Sequence, residues 1–213
     1  MNLNLATLPL PPIASAARST RRRRRISGLP VSHAALSRFQ KAAISLQPAS
    51  PMPDLDAIAS AARRLNFQFA GLHRAPCIRL RQRCLRALRA MASDANWQLE
   101  PEKRRWITLI VDYAANPDRL VPEDVPVVGG LDQAVLVDLA WPSLQFDLDD
   151  YRDFRRLRAA EAALRGLRPN QVCFDREDWL QARFAELAWH AHVRRRGRAS
   201  YLGGPAPALF ALH

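Results

Sequence analysis

The chain has 213 residues, a net charge of +12 and a hydrophobic share of 48%, enough for a sizeable buried core plus tails. The charge is unevenly placed: residues 1–53 hold eight Lys/Arg and no acid, while the remaining 24 Lys/Arg and 20 Asp/Glu leave only +4. Cys77, Cys84 and Cys173 form no C-x-x-C pair and are odd in number, which argues against a disulfide framework and for a reducing compartment.

Residues 1–52 mix Pro, Ser, Ala and Arg without sustained periodicity and read as a disordered basic tail. Their apolar stretch precedes the arginines and is broken by Pro9, Pro11 and Pro12, so it does not read as a secretory signal. Met52 offers an alternative start that would remove this tail. Asp54 is a candidate N-cap, followed at three- and four-residue steps by Leu55, Ile58, Ala62, Leu65 and Phe69, with Gly71 as the stop. Pro76 opens a second helix with the stripe Cys77, Leu80, Cys84, Leu88 and Met91. Pro101 opens a third, with Trp106, Leu109, Ile110 and Tyr113 apolar.

A Pro-rich hairpin spans Asn116–Gln133. A fourth helix, Leu131–Trp141, carries Leu131, Val135 and Leu139 on one face, and Pro142 limits it. Asp149–Gly166 reads as a fifth, with Phe154, Leu157 and Leu164 inward. Asp175 and Asp178 resemble a capping box for a sixth, Arg176 to about Arg195, with Leu180, Phe184, Leu187 and Ala191 inward. No segment alternates with period two. The expected fold is all-α: a single small domain over residues 53–198, five or six helices, the Pro-rich hairpin between two central ones, and an irregular tail over 199–213.

Proline fixes its own φ and keeps the preceding residue out of the α region, so Asn116, Val121 and Val125 are expected to be extended. Leu120, Val121, Val125, Val127 and Val128 are too apolar for a solvated loop, and the hairpin should pack on the core with Val121 and Val125 inward and Glu123 outward. Pro117, Leu120, Val121, Pro122, Val125, Pro126, Gly129 and Asp132 fall without a gap on a pattern of roughly Pro-Ile-Asp-Leu-Ile-Pro-Asp-Phe-Ile-Pro-x-x-Gly-x-x-Asp-Asp. Over about Ile107 to Leu139 the chain thus resembles the YkvA-like family, a bacterial domain of unknown function. Arg119, Glu123, Asp124 and Gln133 depart from the pattern. Some members of that family look membrane-embedded, but here Asp112, Asp132 and Asp138 interrupt the flanking segments. Each acid at mid-bilayer costs about 2.5–3.5 kcal/mol.

Arg21–Arg25 is an unbroken basic run that suits nucleic acid or an anionic membrane surface. With no aromatic interleaved to stack on bases, a solvated tail is the plainer reading. Arg79, Arg86 and Arg89 lie opposite the apolar stripe of their helix, with Arg81 and Arg83 on its flanks. Such a face serves docking, or is merely solvated or paired with Asp147, Asp149, Asp150 or Asp153. The acids Asp112, Asp118, Glu123, Asp124, Asp132 and Asp138 gather around the hairpin, where capping and turn hydrogen bonds explain them better than a metal or a carboxylate pair. His190 and His192 are two apart and face differently on a helix, so they make no zinc pair.

No nucleophile, base and orienter assemble in the sequence, and no cofactor or metal is implied. The function expected is a non-enzymatic interaction or scaffold module of the cytoplasm, with a protein partner. Its docking surface is Arg79, Arg86 and Arg89 plus the hairpin edge Arg119, Glu123 and Asp124. The alternatives are peripheral association with an anionic membrane, on its inner face, through the basic helix, and nucleic-acid binding through the N-terminal arginines.

Overall fold

A computed structural model describes residues 3–13, 25–48 and 53–200, with side chains to residue 196. Six α-helices dominate the described residues, and the fold is all-α. The chain divides into two compact units, Met1–Tyr151 and Arg152–His213.

In the first unit, a 3-10 turn at Leu5–Thr7 leads to two short antiparallel strands, β1 (Arg25–Ile26) and β2 (Leu29–Pro30). Ser27 and Gly28, both at positive φ, make the tight turn that suits a two-residue hairpin. Helix α1 (His33–Leu46) follows, with Ser32 as its N-cap. The composition of residues 1–52 predicts no structure here, and helix α1 corrects that expectation. Ala35, Phe39, Ala42, Ala43 and Leu46 are buried on one face, and α1 packs on the later helix α4 (Pro101–Ala115). The burying face is mostly alanine, which makes a weak hydrophobic pattern. Residues 14–24 and 49–52, with Arg21–Arg24 and Met52, lie outside the described residues, as do 201–213.

Helix α2 (Leu55–Gln68) starts where expected, with Ala57 N–H donating to the Asp54 carboxylate at 2.6 Å, and Gly71 takes φ +84° beyond its end. Helix α3 (Pro76–Ser93) opens on its proline and buries Cys77, Leu80, Cys84, Leu88 and Met91. Both cysteines are thiols, and burial pushes Cys77 above its ordinary range. Helix α4 buries Ile107, Ile110 and Tyr113.

Helix α5 (Leu131–Leu164) runs through Pro142, where the sequence placed a helix end and, after it, the start of another helix. Pro142 removes one backbone donor. It sits on the exposed side, while Ala140, Leu144 and Leu148 are buried around it. The division into units falls inside α5. Up to Tyr151 the helix belongs to the first core: Tyr151 donates to the Ala90 carbonyl and the Asp94 carboxylate, and its ring meets Trp97 at 5.6 Å.

Arg81, placed by the sequence on the flank of a solvated face, is 2% exposed. Its Nε and Nη2 donate to the two Asp138 oxygens at 2.8 and 3.0 Å, and Nη1 donates to the Leu8 and Cys77 carbonyls. One guanidinium thus joins the N-terminal segment, α3 and α5. Burial raises the Asp138 carboxyl above its ordinary range, and Arg81 pulls against that rise.

In the second unit, residues 152–164 of α5 are followed by α6 (Arg176–Ser200). The expected capping box is present: Glu177 and Asp178 N–H donate to Asp175 Oδ1, and Asp175 N–H donates to Asp178 Oδ2. Asp153 accepts from Arg156, Trp179 and Arg183. Burial alone would raise its carboxyl; these hydrogen bonds and the charges of Arg156 and Arg183 outweigh burial and hold it below its ordinary value. Phe154, Phe174 and Trp179 are buried. Leu164, Leu180, Phe184 and Leu187, expected inward, are exposed, Phe184 to 68%, and Leu157 and Ala191 are half-buried. The face of α6 that turns inward is set by Trp179, one residue away from the stripe the periodicity marks.

Candidate functional site

The hairpin builds one end of the site. Helix α4 stops at Asn116, which is extended (φ −74°, ψ 128°) and whose side chain accepts from Asp118 N–H at 2.9 Å. Arg38 of α1 pairs with Asp118. Leu120, Val121, Val127 and Val128 are buried, whereas Val125, expected inward with Val121, is only half-buried. Glu123 and Asp124 are exposed. Arg119 is not an outer-edge residue: its side chain is 14% exposed and pairs with Glu123 at 2.9 Å.

Asp132 lies fully buried inside the hairpin. Its Oδ2 accepts from Tyr113 O–H at 2.6 Å and from Val121 N–H at 3.1 Å. Burial pushes its carboxyl up, against the hydrogen bonds of Tyr113, Val121 and Gln133. Burial, with the Asp132 charge beside it, pushes the Tyr113 phenol up as well. The pair is buried and ties the hairpin to helices α4 and α5.

The sign of its pH effect follows. A carboxyl raised in the folded state binds more protons folded than unfolded above about pH 4, so stability is full below that pH and falls as pH rises through the folded value. Asp132→Asn keeps an acceptor for Tyr113 and Val121 without the charge. Thermal melts at acidic and neutral pH are expected to show wild type losing melting temperature relative to the Asn variant as pH rises. A constant difference would mean that Asp132 does not titrate in this way.

Gly129 and Gly130 fix the hairpin's exit. A Cβ at Gly129 would press on the Glu123 carbonyl oxygen and sit 2.8 Å from that of Val125, so only glycine fits. Val127 sits at φ +66°, a strained conformation for a β-branched residue. It is held there by a bridge to the segment before α3: Val127 N–H donates to His73 O at 2.9 Å, and the Val127 carbonyl accepts from Ala75 N–H at 2.8 Å.

Arg74, bridged to Val127, lines a groove of about 490 Å³ between α3 and α4. Gln82, Leu85, Arg86 and Arg89, spaced as one helix face, make the α3 wall; Val111, Asp112, Ala114 and Ala115 make the α4 wall. Arg74 and Glu123 stand at the hairpin end, joined by Arg74 Nη2 donating to the Glu123 carbonyl at 2.6 Å. Gln133, 5% exposed, lines the interior. Its Oε1 is buried with no hydrogen-bond partner among the described residues, and neither has the buried Arg74 Nε.

The structure thus brings Arg86, Arg89 and Glu123 of the expected docking surface together in one groove. Arg79 and Asp124 are exposed outside it, and Arg119 is largely buried. Of the acids expected to pair with the arginines of α3, Asp147 pairs with Lys103 at 2.8 Å and Asp153 with Arg156 and Arg183. Arg74, Gln82, Asp112 and Gln133 were not assigned to a docking surface from the sequence. Gln82 sits four residues before Arg86, a spacing that could have suggested it; a lone amide such as Gln133 gives no such signal. No cluster of three or more metal-ligating side chains occurs among the described residues, and no helix there is long and apolar enough to cross a membrane.

Comparison with protein-family models, with curated proteins and with solved structures gave no match.

Proposed function

We propose that the first unit is a non-enzymatic interaction module, YkvA-like in its hairpin, whose partner is a protein presenting acidic side chains. One observation carries this reading. Arg79, Arg86 and Arg89 stand exposed on α3, with no hydrogen bond or ion pair among the described residues, while the apolar face of the same helix is spent in the core. The groove beside them is lined by arginines, amides, carboxylates and apolar groups, with no Ser, Cys, His or Lys, which suits recognition better than nucleophilic chemistry. A membrane would have to bind this face by charge alone, because α3 has no free apolar face to insert. We place the protein in the cytoplasm, where Cys77, Cys84 and Cys173 stay thiols.

The test is a titration of the full chain with three probes: a labelled oligo-glutamate peptide, vesicles containing phosphatidylserine, and single-stranded RNA. The peptide is expected to bind, more weakly as salt is raised. Binding of vesicles or RNA with none of the peptide would overturn the reading in favour of a membrane or nucleic-acid role.

A further inference from the structure

We infer that the groove between α3 and α4 seats an extended peptide segment, placing one of its carboxylates on Arg86 and Arg89 and one of its peptide groups on the side-chain amides of Gln133 and Gln82. The inference rests on the proposed reading of the unit and goes beyond it by naming the chemistry of the seat.

Arg86 and Arg89 are one helical step apart and both line the groove. The acids nearby do not cancel them equally: Glu123 is held by Arg119, and Asp112 stands on the opposite wall. The rim of α3 is therefore left cationic, which suits a carboxylate. The interior asks for something different. A buried amide oxygen without a partner costs stability, yet Gln133 keeps one. A Cβ on Gly130 would lie 3.1 Å from Gln82 Nε2 and 3.4 Å from Gln133 Oε1, so both amides reach over a residue that has no side chain. A peptide group offers both an N–H and a C=O, so it satisfies a glutamine amide in either orientation. A bare anion does not. The strained Val127, pinned beside Arg74, is the third sign, since strain of this kind collects at binding sites.

The experiment follows the side-chain amide resonances of Gln82 and Gln133 in ¹⁵N-labelled full chain. Capped oligo-glutamate is expected to shift both, whereas glutarate, which has carboxylates but no peptide group, is expected to shift backbone signals near Arg86 and Arg89 and leave Gln133 in place. Gln133→Leu removes the unpaired group, so it is expected to hold or raise the melting temperature while weakening the peptide about tenfold. If the peptide binds but leaves Gln133 unmoved, or binds the Leu variant as it binds wild type, the seat is wrong and the acidic-partner reading survives. If the peptide moves nothing at all, both fall.

Discussion

Arg81→Ala is expected to lower the melting temperature by roughly 6–20 °C. Removing one member of a buried ion pair costs about 3–5 kcal/mol, and in a chain of this size each kcal/mol moves the midpoint by about 2–4 °C. The variant strands the Asp138 carboxylate and takes the donor from the Leu8 and Cys77 carbonyls at once. Asp138 keeps 31% side-chain exposure, so water softens the loss and the lower half of the range is favoured. The double variant Arg81→Met with Asp138→Leu is expected to recover most of it, because a buried pair replaced whole by apolar groups is often neutral. Failure of the double variant to recover would show that the contact with the N-terminal segment, rather than the pair, supplies the stability.

Val121→Asp is expected to unfold the first unit. Burying the valine contributes about 1.5–3 kcal/mol, and a buried ion without a partner costs several kcal/mol more, against a total stability of about 5–15 kcal/mol. The new carboxyl would also arise close to that of Asp132, whose Oδ2 accepts from Val121 N–H at 3.1 Å. Val125→Asp, at a half-buried position, is expected to cost less, and Glu123→Ala, losing one exposed pair with Arg119, about 0.2–1 kcal/mol. Circular-dichroism melts of the three variants check the order. A Glu123→Ala loss as large as that of Val121→Asp would reverse the inside–outside assignment of the hairpin.

The hairpin was legible because its constraints are local. Pro117, Pro122, Pro126 and Gly129 act on their own backbone and the residue before, whatever surrounds them. Helix starts at Asp54, Pro76, Pro101 and Asp175 were legible for the same reason. Pro142 misled because its cost is one hydrogen bond, which the burial of Leu144 and Leu148 offsets and no local rule weighs. Helix α1 was missed because alanine covers most of its inner face.

On α6 the periodic stripe was real, but periodicity names a face without saying what covers it, and Leu180, Phe184 and Leu187 lie in the open. Arg81 looked like its neighbours Arg79 and Arg83; only the positions of Asp138 and the Leu8 carbonyl separate it from them. The groove was half legible. Arg86 and Arg89 stood out as charges, whereas Gln82 and Gln133 are neutral side chains whose meaning comes entirely from what they are buried beside.

The proposed function rests on the arginine face of α3, where Arg79, Arg86 and Arg89 stand exposed with no hydrogen bond or ion pair among the described residues. Arg79→Glu, Arg86→Glu and Arg89→Glu combined change only exposed positions, where single substitutions stay within about 0.5 kcal/mol, so the variant is expected to fold. The decisive measurement is a fluorescence-anisotropy titration of labelled oligo-glutamate against wild type and this triple variant at equal salt. Each lost charge-assisted hydrogen bond is worth about 1.5–3 kcal/mol, so the account predicts affinity at least about tenfold weaker in the variant. Equal affinity in the two proteins would contradict it.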